Sequence, residues 1–253
     1  MTEYILTESE FNKDNIAWNG NRFLIGNGYF GIRGTLEEYT KKQMCAVNMA
    51  GIYDRAGDSW RESVNAPNPI YTYIRVNGKI YTLPDSKPKF HQQELDFKYG
   101  LHCRVTRWKT EHGDITITCE RFASMARQHN IAMKYTFSAD FECVAEIITG
   151  IDGDVWDING PHFVKMQMGS KDGIDYVTGI TGEKNISVTA KEYIRTDFQA
   201  EQTNLNTDKS IFRHIKFNAK ADKKYTFEKI AEITTSADDF GTSSRIDKLS
   251  YSE

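Results

Sequence analysis

The chain has 253 residues, of which 39% are hydrophobic, 26% charged and 12% aromatic, which excludes disordered and fibrous classes and supplies enough apolar residues for a sizeable core. Its formal net charge of −3 leaves no basic surplus for nucleic acid, and no apolar run reaches the roughly 18 residues of a membrane span. The opening, Met1 to Glu10, is acidic and polar rather than a signal peptide, so a cytoplasmic location is expected.

Helical patterning is scarce, and the first short helix is expected over Glu8 to Ala17. From about Tyr29 to Ile233 the chain repeats short runs of β-branched and aromatic residues, alternating with polar ones and broken by Gly, Asn or Asp. The clearest hairpin joins Ile70–Val76 to Lys79–Leu83 through Asn77-Gly78, because Asn-Gly adopts the positive φ angles of a type I′ turn. Pro67, Pro69, Pro84 and Pro88 flank that hairpin, stiffening loops that no central strand can use. A second hairpin runs from Leu101 to Glu111, turns at His112-Gly113-Asp114 and returns along Ile115 to Cys119. Arg121 to Lys134 reads equally as a helix or a strand pair. A third hairpin takes Val164–Met168 through Asp172-Gly173 to Ile174–Thr178. After the strand-like Tyr225 to Thr234 the chain turns polar, with a short helix allowed after Ser236. A dozen or more strands exceed what one open sheet holds, so the expected fold is all-β, a large antiparallel sandwich of two sheets.

Gly26-Asn27-Gly28-Tyr29-Phe30-Gly31 spells the dinucleotide-binding pattern, but no long helix follows to hold a pyrophosphate, so the glycines are read as serving turns and close packing. Asp152 to Asp157 begins like a calcium loop, yet its sixth and twelfth positions hold Asp157 and Phe163 instead of glycine and glutamate. Asp152, Asp154, Asp157, Glu37 and Glu38 are read as loop and surface charges. The six histidines share no HxH or HxxxH spacing and are read as surface or strand residues, so no metal site is expected. Cys45, Cys103, Cys119 and Cys143 form no CxxC pair and are read as buried, reduced thiols. Between Ile52 and Tyr73, aromatic residues mix with amide, carboxylate and guanidinium groups. That mixture suits either a domain or subunit interface or a sugar, with Trp60, Glu62 and Asn65 as the candidate lining residues.

Four stretches, in order, resemble the N-terminal domain of glycoside hydrolase family 65, the maltose, kojibiose and trehalose phosphorylases and related glycosidases. Residues 21–38, NRFLIGNGYFGIRGTLEE, are similar to the family's E-x-x-F-x-x-GNGYxGxRG-x-x-EE opening, departing from it at Asn21. Ala50 to Asp54 followed by Glu62 to Pro69 resembles its GxYD…ELVNxPN stretch. Gly150 to Asp157 resembles a GxDGxVxN loop, with Asp157 in place of the commoner asparagine. Tyr225 to Ile230 with Thr234-Thr235-Ser236 is similar to the strand leading towards the inter-domain linker.

The resemblance implies a galactose-mutarotase-like supersandwich over residues 1–235 and the start of a linker over 236–253. It also implies that the catalytic glutamate and the phosphate-binding residues lie in a following (α/α)6 barrel. Inorganic phosphate would then be a co-substrate of the whole enzyme, not bound by this chain, which carries no catalytic residue and no cofactor. The expected role is to pack against the barrel, shape the entrance for an α-glucoside and support a homodimer. A stand-alone carbohydrate-binding module is the alternative, and a mutarotase-like enzyme, needing a His and a carboxylate in one cleft, a third.

Overall fold

A computed structural model describes residues 4–238 and Tyr251. Its strands begin with β1 (Ile5–Glu8), β2 (Ile25–Gly26), β3 (Phe30–Ile32), β4 (Val47–Asp54), β5 (Glu62–Asn65) and β6 (Thr72–Val76). The middle of the chain gives β7 (Lys79–Tyr81), β8 (Phe90–Asp96), β9 (Leu101–Lys109), β10 (Asp114–Ala123), β11 (Asn130–Ala139) and β12 (Cys143–Ile151). The last third gives β13 (Phe163–Lys171), β14 (Ile174–Thr181), β15 (Ser187–Thr196), β16 (Glu201–Asn206), β17 (Ile211–Ala219) and β18 (Lys224–Thr235).

All pairings among them are antiparallel, in three sheets. Nine strands order as β1-β8-β9-β10-β11-β18-β15-β14-β13, five as β16-β17-β12-β6-β7, and four as β2-β3-β4-β5. The five-stranded sheet lies over one half of the large sheet, as contacts of β12 and β17 with β14 and β15 show. Ala145 and Ile147 of β12 and Ile215 and Phe217 of β17 are buried with Val177, Val188 and Ala190 from the large sheet. The Phe137 and Phe217 rings meet edge-on across this layer at 6.1 Å. The four-stranded sheet lies over the other half, where β2 contacts β10 and, just ahead of β2, Phe23 meets the His102 ring at 6.0 Å. The expected two-layer sandwich is present, with its second layer divided between two smaller sheets.

The three hairpins form where expected, and Asn77 (φ 48°) and Gly78 (φ 81°) make the positive-φ turn between β6 and β7. The first helix differs from expectation. Glu8 closes β1 opposite Gln93, Asn12 caps a single 3-10 turn over Lys13–Asn15, and the helix α1 spans only Ile16–Arg22. Glu8 is held in the strand because its carboxylate accepts hydrogen bonds from Asn19 and Gln93. Arg121 to Lys134 resolves as the end of β10 and the start of β11. The turn between them is pinned from outside, since the buried Asn27 amide donates to the carbonyls of Ser124 and Gln128. Asn27 belongs to the β2–β3 turn, so the glycine pattern builds a hairpin and anchors it. The helix allowed after Ser236 and most of the 236–253 linker lie outside the described residues.

Candidate functional site

The Ile52–Tyr73 segment does not form one surface. β4 and β5 pair so that Asp54 faces Glu62 across the ladder, which puts both carboxylates on one side of the sheet. The loop between them carries Trp60 outward, 60% exposed, while Glu62 is 5% exposed. Tyr71 and Tyr73 line a different groove of about 460 Å³, together with Lys41, Asp85 and Asp152. Of the three named candidates, Glu62 and Asn65 therefore point inward and Trp60 points to solvent.

What meets Glu62 is a histidine a hundred residues away. His162 lies between the two strands' carboxylates, with Nδ1 3.2 Å from Asp54 Oδ2 and Nε2 2.7 Å from Glu62 Oε1. The chain arrives there through the loop 152–162, which joins β12 to β13. Asn65 holds that loop by donating Nδ2 to the Trp156 carbonyl at 2.5 Å, and the Arg33 guanidinium lies over the Trp156 ring at 5.7 Å. The backbone N–H of Asn159 donates to Glu62 at 2.7 Å, and the N–H groups of Gly182 and Glu183 donate to Asp54 at 3.4 and 2.8 Å. Asp157 is the third carboxylate of the group. Burial pushes its carboxyl up to about 6, against the pull of His162 and with the Glu62 and Asp54 charges adding to the rise. Tyr53, Trp60, Ile158 and Val164, all exposed, come from the same strands and loops.

Sequence reasoning missed His162 and Asp54 because it searched for ligating residues by local spacing. Glu62, Asp157 and His162 converge through topology, each offering one ligating atom within 4.8 Å of the others. His162 is neither a surface nor a strand residue, and Asp157 is half-buried rather than a surface charge. Asp152 is also half-buried, accepting from Ser210 Oγ at 2.8 Å, and burial raises its carboxyl. Asp154 does lie near the surface, paired with Lys41 and Lys209 at 2.6 and 3.0 Å.

Glu37 and Glu38 depart furthest from the surface reading. Both are buried, Glu37 at 0% exposure, beneath Arg104 of β9 and Arg121 of β10. Arg104 places Nη1 and Nη2 each 2.8 Å from Glu38 oxygens and Nε 3.1 Å from Glu37. Arg121 pairs with Glu37 and donates to the Thr35 carbonyl at 2.5 Å. Burial works to raise the Glu37 carboxyl, but Arg104 and Arg121 together hold it below the ordinary carboxylate range. Two guanidinium forks thus receive two carboxylates, tying the segment after β3 to the large sheet. Nearby, burial first and the Arg104 charge second push His91 down to about 3, and His102 is likewise kept neutral. All four cysteines are free thiols; Cys103 is half-buried, the other three buried.

Residues 6–250 match the family model for the glycosyl hydrolase family 65 N-terminal domain. The chain belongs to this family. Among curated relatives, the domain is 39% identical to a nigerose phosphorylase of Lachnoclostridium phytofermentans, covering 93% of this chain and 34% of that protein. It is 33% identical to a 1,2-alpha-glucosylglycerol phosphorylase of Bacillus selenitireducens, over 87% of this chain and 29% of that protein. A solved structure from the human microbiome, provisionally assigned as a kojibiose phosphorylase, superposes with a TM-score of 0.81 at 19% identity, over 92% of this chain and 32% of that one. That likeness shows the shared fold. The chain spans about a third of the length of these relatives. Among the described residues, no helix is long and apolar enough to cross a membrane.

Proposed function

We propose that this chain is the non-catalytic N-terminal sandwich of a longer α-glucoside-processing enzyme, one that inverts the anomeric carbon by phosphorolysis or hydrolysis. Its work is to pack on an (α/α)6 catalytic barrel, shape the substrate entrance and support a homodimer in the cytoplasm. The observation that carries this reading is the coverage, 93% of this chain against 34% of a phosphorylase, because catalytic chemistry needs a place in the remaining two thirds. Tyr53 of β4, Val164 of β13, and Trp60 and Ile158 of the neighbouring loops are exposed apolar side chains of the kind a partner domain covers. The His162 cluster is a poor mutarotase centre, since imidazole and carboxylates are buried where no sugar reaches them.

The test is phosphorolysis and hydrolysis of nigerose, kojibiose, maltose and trehalose by the chain alone. Neither glucose 1-phosphate nor glucose is expected; release of either at an enzymatic rate overturns the proposal. A second reading, an autonomous sugar-binding module, is favoured by the Tyr71–Tyr73 groove with its Lys41, Asp85 and Asp152 rim. A saturable rise in melting temperature with millimolar disaccharide, lost in Tyr73→Ala, supports it; no shift removes it.

A further inference from the structure

The Asp54–Glu62–Asp157–His162 group is more than a set of loop contacts. Its three potential ligating atoms, one each from Glu62, Asp157 and His162, lie within 4.8 Å of one another. Two carboxylate oxygens and an imidazole nitrogen suit zinc, manganese or ferrous iron, while calcium recruits oxygen ligands and leaves imidazole aside. The fourth residue, Asp54, sits where an orienting carboxylate belongs. When His162 Nδ1–H donates to Asp54, the Nε2 lone pair faces Glu62, as in the carboxylate–histidine–metal arrangements that fix a ligand's tautomer. Asp54 is itself immobilised by the N–H groups of Gly182 and Glu183, so the ring is held from two sides.

Charge leads to the same conclusion. Glu37 and Glu38 are matched by two guanidinium groups, whereas the charges acting on Asp157 are one imidazole and two further carboxylates. Buried charges are tolerated when paired or metal-coordinated, and a divalent ion would balance this group. We propose that Glu62, Asp157 and His162, oriented by Asp54, form a structural site for one divalent transition-metal ion of the zinc or manganese class. Bond lengths of about 2.0–2.2 Å separate tetrahedral ligands by about 3.3 Å, so closing the site asks the half-buried Asp157 side chain to move by about an ångström or two. New bonds form to His162 Nε2 and to one oxygen each of Glu62 and Asp157; any proton shared by Nε2 and Glu62 leaves to solvent, and water completes the shell. The ion clamps the loop 152–162 to β5, fixing the rim that carries Ile158.

The full chain, stripped with a chelator, is dialysed against zinc, manganese or calcium chloride, and bound metal is counted by mass spectrometry alongside the melting temperature. One zinc or manganese ion per chain is expected, with a rise of a few degrees in melting temperature. Asp157→Asn and Glu62→Gln each weaken binding tenfold or more. Asp154→Asn, whose carboxylate serves Lys41 and Lys209 in the same loop, binds as the unaltered chain does. Binding below a tenth of an ion per chain, full binding by Asp157→Asn, or calcium held as tightly as zinc overturns the proposal. Asp157 is the half-buried member of the group, where Glu62 and His162 are buried, so its variant stays interpretable by circular dichroism even where Glu62→Gln fails to fold.

Discussion

Among the described residues, two of the buried ionic groups stand in contrast. In the inner one, Glu37 and Glu38 meet Arg104 and Arg121, each carboxylate receives guanidinium donors, and the charges cancel. In the outer one, Asp54, Glu62 and Asp157 surround a single imidazole, backbone N–H groups supply part of the compensation, and exposed apolar residues flank the loops. The inner group joins two layers of the sandwich, and the outer group fixes a loop against a sheet edge. Burial alone therefore does not identify a structural ion cluster; the balance of charge does.

The largest expected effect tests the inner group. Arg121→Met leaves Arg104 as the single cation against Glu37 and Glu38 and takes the side-chain donor from the Thr35 carbonyl, and a loss of about 3–5 kcal/mol is expected by urea denaturation. Adding Glu37→Leu to that variant should recover most of it, because no uncompensated charge remains. Asp54→Asn in the outer group keeps shape and a hydrogen-bonding oxygen, so about 1–2 kcal/mol is expected; an equal or greater loss there would dissolve the comparison.

Acid provides the next contrast. His91 stays neutral in the fold, held at about 3, and takes up a proton at its ordinary 6.5 only when unfolded. The unfolded chain thus binds more protons below pH 6.5, and stability falls as pH drops. At about pH 5 this one residue should cost about 2 kcal/mol, seen as a lower melting temperature, and His91→Gln should flatten that slope. A melting temperature that is level between pH 6.5 and 5 would show that His91 is not held neutral beside the arginines.

Smaller effects follow for neutral groups. Asn27→Ala removes two donors to the Ser124 and Gln128 carbonyls, with a loss of about 1–2 kcal/mol on denaturation. Trp60→Ala, on the solvent side of the outer group, should change the chain's own stability by less than about 0.5 kcal/mol. A larger change would mean that the indole packs against this domain instead of facing outward.

The hairpins were legible because their turns are local chemistry. Asn77-Gly78 needs no neighbour to adopt positive φ, and strict alternation announced β9 and β10. The phase of that alternation was not legible. In β9 the inward residues are His102, Arg104, Thr106 and Trp108, while Leu101, Cys103 and Val105 face the more exposed side. Hydropathy by itself would reverse the strand, and only the partners of Arg104 explain why it does not turn over. The same applies to the candidate site: Trp60, Glu62 and Asn65 were read from one stretch of sequence as lining residues, and the fold turns Trp60 outward while Glu62 and Asn65 hold the loop 152–162 from inside.

The sequence by itself determined the class of fold, its antiparallel hairpins and its family, because these rest on local φ preference, period-two alternation and short contiguous motifs. Tertiary structure decided which acids are buried and what neutralises them. Glu37 needs arginines 67 and 84 positions away, and Glu62 meets a histidine across 100. A carboxylate's fate depends on the dielectric and the charges around it, and those are set only when distant strands come together.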